Sequence, residues 1–394
     1  MKDSPNILLI TSDQHHHAAI GATAPRLRTP ALDRLCREGI RFERAYTCNP
    51  TCTPARASIL TGMYPSQHGA WSLGTKLFED VPTVSSLFGK AGYHTALIGK
   101  AHFQPLASRP GMESLECQPT LRDLEFWRGF HGPWYGFENI EIARMHTCES
   151  HVGQHYGIWL EERGLKNWRD YFEDWPDNPE KRHRLRASRR WDLPEEFHYN
   201  AWTSEKTIEH LRQAYARQKP FFIWCSFHDP HPPYLVPEPW ASMYDPRDMI
   251  PGRMSPGEHD QNPEHFRQAA IGNDPEWWQR ANAGEGVVHG GHPQRQAEAE
   301  LRKDIACYYG MISFMDKHIG IILDEMERLD IVKNTLVVFT TDHGHFLGQH
   351  GLTAKAIHHY EDLIRVPFIV RWPGRIPAGV VNKNLQNLRL LAIS

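Results

Sequence analysis

The sequence is short of the features that mark several special classes of protein. Its 394 residues carry a formal net charge of only −3, so no charge argument favours a nucleic-acid partner. Long hydrophobic runs are missing, and the stretch from Ile7 to Ile10 is too short for a signal-peptide core or a membrane span. The seven cysteines are odd in number and irregularly spaced, which argues against a disulfide framework and a zinc finger. We therefore predict a cytoplasmic protein with mostly reduced thiols and no membrane partner.

What remains is an ordinary globular composition, with 40% hydrophobic and 23% charged residues and no internal repeat. A chain of this length can bury a substantial core. We predict a single α/β domain over residues 1–394, with irregular insertions at about 105–200 and 241–296, where the alternation of strand and helix patterns is lost.

Five short apolar runs predict buried strands, because they are rich in β-branched and aromatic residues and end in polar clusters. A helix is predicted between the first and the second of these strands, from Thr29-Pro30 through Leu35 to Ile40. The predicted strands are 6–12, 94–100, 221–227, 335–341 and 365–374.

The residues that follow these strands are candidates for one site, since ligand groups collect at the carboxyl edge of a parallel sheet. Asp13 and Gln14 follow the first strand, and Asp342 and His343 follow the fourth. A turn explains either pair alone, whereas the recurrence of such a pair at two strand ends favours a metal site. Oxygen ligands with one imidazole suit Ca²⁺, Mn²⁺ or Mg²⁺ better than a thiolate-bound zinc.

Four further polar residues follow the predicted strands. Lys100 and His102 are two residues apart after the second strand, so that both side chains can enter one cleft. His231 lies in a proline-rich segment after the third strand, where the prolines hold the chain extended. Lys355 follows the fourth strand at a greater distance.

A cysteine at the start of a predicted helix indicates which chemistry the polar residues at the strand ends could support. In the run Cys52-Thr53-Pro54-Ala55-Arg56, Thr53 is a candidate N-cap and Pro54 suits the first helical position, while Gly62 ends the helix. Cys52 then lies at a helix N-terminus, where free N–H groups favour an anion, and Arg56 follows one turn later on the same face.

Together with the following Ala-Ser-Ile-Leu-Thr-Gly, this run resembles the signature of the type I sulfatases, in the alkaline phosphatase superfamily. The resemblance implies a mostly parallel central sheet flanked by helices. It also implies that Cys52 is converted to formylglycine by a maturation enzyme, and that Asp13, Gln14, Asp342 and His343 bind one divalent metal. We expect the bound metal to be Ca²⁺, and the imidazole of His343 keeps Mn²⁺ as an alternative.

The same resemblance assigns roles in the hydrolysis of a sulfate ester. One hydroxyl of the hydrated aldehyde attacks sulfur, and the second then loses its proton as sulfate is expelled. Arg56 supports the hydrate, Lys100 and Lys355 neutralise sulfuryl charge, His102 assists the elimination, and His231 is the acid for the leaving oxygen. The alcohol is open among aryl, choline and carbohydrate groups, with a small organic or sugar sulfate preferred, and homo-oligomerisation is also open.

Two other functions remain open. A phosphonate monoester or phosphodiester hydrolase of the same superfamily shares the formylglycine and the metal ligands, but lacks the Lys-x-His pattern seen at Lys100 and His102. A catalytically silent binding protein is the other alternative. It is favoured by a C-terminal subdomain that we expect to be short or missing, because no element is predicted in residues 384–394.

Overall fold

A computed structural model describes residues 4–105, 107–108, 110–144, 152–172, 189–264, 266–267, 297–355 and 358–389. The strands are β1 (Asn6–Ser12), β2 (Ile40–Tyr46), β3 (His94–Gly99), β4 (Asn139–Ile142), β5 (Arg189–Arg190), β6 (Phe221–Ser226), β7 (Leu235–Val236), β8 (Thr335–Thr341), β9 (Phe346–Leu347), β10 (Thr353–Ala354), β11 (Arg365–Arg371) and β12 (Val380–Asn387).

Helices precede or follow most of these strands. The α-helices are α1 (Pro30–Glu38), α2 (Cys52–Thr61), α3 (Pro65–His68), α4 (Val84–Lys90), α5 (Leu124–Gly129), α6 (Gln154–Glu162), α7 (Tyr199–Ala216), α8 (Glu298–Arg328) and α9 (Glu361–Ile364). Short 3₁₀ turns cover Thr120–Arg122, Trp168–Tyr171, Glu195–Phe197, Trp240–Ser242, Pro246–Asp248, Val332–Asn334 and Gln349–Gly351.

The central sheet has eight strands in the order β12-β2-β11-β8-β1-β6-β3-β4. β11 runs antiparallel to both of its neighbours, and the other neighbouring pairs are parallel. The sheet is therefore mostly parallel, as predicted, and β1, β3, β6 and β8 all end at the same edge. Two small sheets, β9 with β10 and β5 with β7, lie outside it.

Helices cover both faces of the sheet, because successive residues of a strand point to opposite sides. On β1, Leu9 packs in a cluster that includes Leu60 of α2. Its neighbours Leu8 and Ile10 pack in a second cluster that includes Leu32 of α1 and residues of α7 and α8. This explains the continuous apolar pattern of the central strands, since both of their faces are buried. Among the described residues, no helix is both long enough and apolar enough to cross a membrane.

The five predicted strands are confirmed, but three strands of the central sheet were not predicted. α1 ends at Glu38 and β2 begins at Ile40, so the predicted continuation of the helix to Ile40 is wrong. Gly39, in extended backbone, separates the two elements. β4 lies within the first predicted irregular region, and β12 pairs in parallel with β2 at the edge of the sheet. Most of the second region, 268–296, lies outside the described residues.

Candidate active site

The ends of β1 and β8 place two carboxylates side by side. The strands pair in parallel with Ser12 opposite Thr341, so the next residues, Asp13 and Asp342, leave the sheet together. Both aspartates are buried, and the backbone N–H of Gln14 donates to Asp342 Oδ1 at 3.0 Å. The sheet edge thus collects the carboxylates that the sequence placed after two separate strands.

Cys52 is the first residue of α2. The N-cap is Thr51, in extended conformation, so the helix begins before the predicted cap at Thr53. Pro54 is tolerated because N–H groups in the first turn of a helix have no partner within the helix. The predicted end at Gly62 is confirmed by its left-handed φ of 71°. Cys52 therefore lies where helix N–H groups are free to face an anion.

The sulfur of Cys52 lies among the carboxylates. Its Sγ is 3.2 Å from His343 Nε2 and 3.7 Å from Asp13 Oδ1. Each of Asp13, Cys52, Asp342 and His343 offers an atom within 4.8 Å of the others. Burial raises the pKa of the thiol to about 11, against the opposing charge of Lys355. The unmodified thiol is therefore protonated and a poor nucleophile at neutral pH.

Gln14 adds an amide to this group. Its Nε2 lies 2.8 Å from His345 Nδ1. Its Oε1 is buried, and within the described ranges no donor reaches that oxygen. A buried acceptor left without a donor costs about 1–3 kcal/mol, and a bound cation would satisfy it. Two carboxylates, an amide oxygen and an imidazole fit a hard or borderline divalent ion.

Buried cations balance the carboxylates. Arg56 Nε donates to Asp342 Oδ2 at 2.9 Å, and Arg56 Nη1 donates to Ser226 Oγ at 2.8 Å. The Lys100 ammonium pairs with Asp13. Burial opposes ionisation of Asp13, but Lys100 and Arg56 hold its pKa below the usual value. Asp13 is therefore ionised and competent to bind a metal.

Lys355 connects the cysteine to His231. Its Nζ lies 2.7 Å from Cys52 Sγ, 3.1 Å from His231 Nε2 and 3.2 Å from His343 Nε2. Because an ammonium group only donates, these ring nitrogens are acceptors. Burial, then the charges of Lys355 and Lys100, hold the pKa of His231 well below its usual value.

Direct contacts, including one of 3.8 Å between Arg56 Nη2 and Asp13 Oδ2, thus link nine of the ten predicted site residues. His102, the tenth, lies two residues beyond Lys100 and is buried. Its Nε2 is 2.9 Å from Arg144 Nη2, and burial and then the charge of Arg144 hold its pKa well below the usual value.

Four residues that support this site were not predicted as site residues. His345 lies 2.8 Å from Gln14 Nε2 and 2.8 Å from the Tyr234 hydroxyl. Its position two residues after His343 was a usable signal. Ser226, the last residue of β6, could also have been found as a strand end. Glu116 and Arg144, which contact His102, lie in the region without a regular pattern and gave no signal.

A family model and related sequences agree on the family to which this chain is similar. The model of the family described as Sulfatase matches residues 5–392. The sulfatase YidJ of Escherichia coli strain K12 is 28% identical over 94% of this chain and 63% of its own length. The arylsulfatase of Clostridium perfringens is 30% identical over 96% of this chain and 71% of its own length. The chain thus spans about two thirds of the length of these relatives.

The fold also matches solved structures. The crystal structure of the phosphonate monoester hydrolase of Agrobacterium radiobacter superposes with a TM-score of 0.72 over 98% of this chain and 71% of that chain. The sequences are 22% identical, so this likeness concerns the fold.

Proposed function

The chain belongs to the sulfatase family, and from that premise we propose that it hydrolyses a sulfate ester to an alcohol and inorganic sulfate. The carrying observation is the position of Cys52 Sγ, at a helix N-terminus and within 4.8 Å of ligand atoms of Asp13, Asp342 and His343. A formylglycine formed from Cys52 would supply a hydrated aldehyde, one hydroxyl of which attacks sulfur while the other allows sulfate to be expelled. We assign this chemistry to a single domain over residues 1–394.

We propose that Asp13, Gln14, Asp342 and His343 hold one divalent cation. When bound, this cation would acidify a hydroxyl group and draw charge from the sulfuryl oxygens. The buried oxygen of Gln14 supports the proposal independently of the family. Ca²⁺ is the first choice because three of the four ligands are oxygen donors, and the His343 imidazole keeps Mn²⁺ and then Mg²⁺ as alternatives.

The cations of the site have a second proposed task, which is to hold the sulfuryl group. Lys355 projects beside the reacting position, 2.7 Å from Cys52 Sγ. Lys100 pairs with Asp13, whose Oδ1 is 3.7 Å from Cys52 Sγ. Both ammonium groups sit in a buried environment, where charge interactions are stronger than in water. Arg56 donates a hydrogen bond to Asp342 and lies one helical turn after Cys52 in α2.

His231 is the proposed proton donor to the leaving oxygen. In the structure it accepts from Lys355 and its pKa lies well below the usual value, because of burial and of the Lys355 and Lys100 charges. A sulfate ester brings a negative charge to those lysines. Binding would therefore turn Lys355 toward the substrate and raise the pKa of His231, so that the imidazole takes up a proton when it is needed.

The buried cationic site suits the ester of a small organic alcohol or a sugar, and a formylglycine-generating enzyme is a required partner. The six described cysteines, Cys36, Cys48, Cys52, Cys117, Cys225 and Cys307, are all free thiols. Free thiols support a reducing compartment such as the cytoplasm.

Turnover of two nitrophenyl esters tests the proposed function. The protein is co-expressed with a formylglycine-generating enzyme, loaded with Ca²⁺ or Mn²⁺, and assayed with 4-nitrophenyl sulfate and 4-nitrophenyl phenylphosphonate. We expect the sulfate to be preferred and Cys52→Ala to abolish turnover. Preference for the phosphonate would establish the phosphonate monoester hydrolase, and binding of both esters without turnover would establish a silent binding protein. Arg247→Gln, a change at an exposed arginine whose side chain is 89% accessible, is the matched control.

A further inference from the structure

The loop after β3 is held in a constrained conformation at His102. This residue has a φ of 57°, a left-handed value that costs a non-glycine residue about 1 kcal/mol or more. The carboxylate of Glu116 accepts from three consecutive backbone N–H groups, those of His102 at 2.6 Å, Phe103 at 2.8 Å and Gln104 at 2.9 Å. Glu116 is itself buried. A charged side chain from outside the predicted motifs thus fixes the position of the His102 backbone.

Arg144 fixes the imidazole of the same residue. It lies two residues beyond β4 and is 1% exposed. Its Nη2 is 2.9 Å from His102 Nε2, its Nη1 donates to the Gln104 carbonyl oxygen at 3.2 Å, and the same Nη1 lies 4.0 Å from Glu116 Oε1. The guanidinium is therefore oriented by two other groups while it faces the ring.

This contact determines which ring nitrogen of His102 carries the proton. A guanidinium has five N–H donors, no acceptor, and a charge that it does not lose in proteins. His102 Nε2 can then only accept, which places the proton on Nδ1. Protonation of both nitrogens would set two donors against each other at 2.9 Å. Beyond Arg144, the cations of Lys100, Arg56 and Lys355 act against the doubly protonated ring. Two carboxylates contact this segment: Glu116 accepts from its backbone, and Glu79 accepts from Gln104 Nε2 at 2.8 Å.

We infer that Glu116 and Arg144 are positioning residues that lock His102 as the neutral tautomer protonated on Nδ1. His102 then acts in the site as a hydrogen-bond donor, and it neither takes up a proton as a base nor delivers one as an imidazolium. Its part in sulfate hydrolysis rests on the proposed function, whereas the tautomer does not. If His102 assists the elimination of sulfate, it does so by donating a hydrogen bond, and the proton of the second hydroxyl leaves with the expelled sulfate as hydrogensulfate.

Neutron diffraction from deuterated, metal-loaded protein at pH 7 tests the tautomer directly. We expect a deuteron on His102 Nδ1 and none on Nε2. A deuteron on Nε2, or on both nitrogens, would overturn the inference. This result needs no variant and no turnover. It therefore remains decisive even if 4-nitrophenyl sulfate proves not to be a substrate, which would count against the proposed function alone.

Two substitutions at Arg144 test the consequence for catalysis. In Arg144→Gln the amide oxygen can accept from Nε2–H, which frees the ring to change tautomer, and loss of the nearest cation raises the pKa of the ring from its lowered value. We expect kcat to fall on the order of tenfold to a hundredfold, and an ionisation absent from wild type to appear in kcat/KM below about pH 6.5, because burial and the charges of Lys100, Arg56 and Lys355 remain. Arg144→Lys keeps a donor-only cation and should retain the wild-type pH profile.

A double-variant comparison shows whether Arg144 acts through His102. The effect of Arg144→Gln on kcat should disappear in a His102→Ala background, because the ring on which it acts is then absent. An undiminished effect in that background, or a wild-type pH profile in folded Arg144→Gln, would contradict the inference. Arg247→Gln controls for the loss of an arginine, and thermal unfolding confirms that each variant is folded.

Discussion

The ammonium nitrogen of Lys355 lies 2.7 Å from the sulfur of Cys52, although the two residues are 303 positions apart in the chain. The same nitrogen lies 3.1 Å from His231 Nε2. One side chain thus joins the proposed nucleophile position to the proposed proton donor. This contact exists because the segment after β8 folds back over the N-terminus of α2.

Lys355→Ala should lower kcat for 4-nitrophenyl sulfate on the order of a hundredfold to a thousandfold, because a charge aimed at the developing sulfuryl oxygens is lost. Lys355→Arg should recover only part of the rate, since the guanidinium is larger and differently shaped. Steady-state kinetics provide the measurement. Lys303→Ala, at a side chain that is 55% exposed on α8, is the control. A kcat within threefold of wild type in Lys355→Ala would remove this lysine from the mechanism.

Gln14→Ala should weaken the binding of Ca²⁺ or Mn²⁺ by about tenfold to a hundredfold, judged from the usual cost of losing one group that supports a metal site. The reason is the buried Oε1, which has no donor within the described ranges. Calorimetric titration of metal-free protein measures the affinity. Gln213→Ala, at an exposed position of α7, should leave it unchanged. Equal affinities in Gln14→Ala and wild type would exclude this amide as a ligand.

Arg56→Met should destabilise the metal-free protein by about 3 kcal/mol, because it leaves the buried Asp342 carboxylate without its partner. The pair is almost completely inaccessible, at 0% and 1% exposure. Denaturant unfolding in the presence of a chelator measures the change, and adding Asp342→Asn should recover part of it. Arg247→Met should cost little. A loss below 1 kcal/mol in Arg56→Met would mean that the pair contributes little to stability.

The buried pair His94 and His210 should make the protein sensitive to acid. Their ring nitrogens lie 3.1 Å apart, and burial, with the charge of neighbouring groups, lowers the pKa of each to about 4. Between pH 6.5 and 4 the unfolded chain therefore binds more protons than the folded chain. The stabilisation is complete above pH 6.5 and is lost as the pH falls toward 4.

Urea unfolding at pH 7.5 and pH 5 measures this effect. His210→Gln should lose less stability than wild type between the two conditions, by about 1–2 kcal/mol. His359→Gln, at an exposed position, should lose as much as wild type. Equal losses in His210→Gln and wild type would show that the pair does not titrate in this range.

Much of this site could be predicted because its residues follow central strands. Asp13, Lys100 and Asp342 each come directly after an apolar run that is buried on both faces, and a parallel sheet brings such positions to one edge. The strands toward the two edges of the sheet, β12 and β2 on one side and β4 on the other, were harder to predict. β2 alternates apolar and charged residues and follows a helix after a single glycine, so its apolar Ile40 extended the helical pattern.

The groups that support the site could not be found in this way. Glu116 and Arg144 reach His102 from a segment whose turns are set by tertiary contacts, and no local pattern separates them from exposed charged residues. The predicted start of α2 was wrong for a related reason. Pro54 is compatible with any position in a first turn, so it did not distinguish a cap at Thr51 from one at Thr53. Local sequence patterns located the reacting groups, whereas the residues that contact and orient those groups are set by the tertiary fold.

The mass of the peptide that contains Cys52 tests the central proposal most directly. In protein with measured sulfatase activity, we expect the tryptic peptide that contains Cys52 to be about 18 Da lighter than its cysteine form, because the thiol is lost and a carbonyl is gained. The converted fraction should rise in proportion to kcat across preparations, and Cys52→Ala should show neither. An active preparation in which Cys52 is entirely an unmodified thiol would contradict the proposed mechanism.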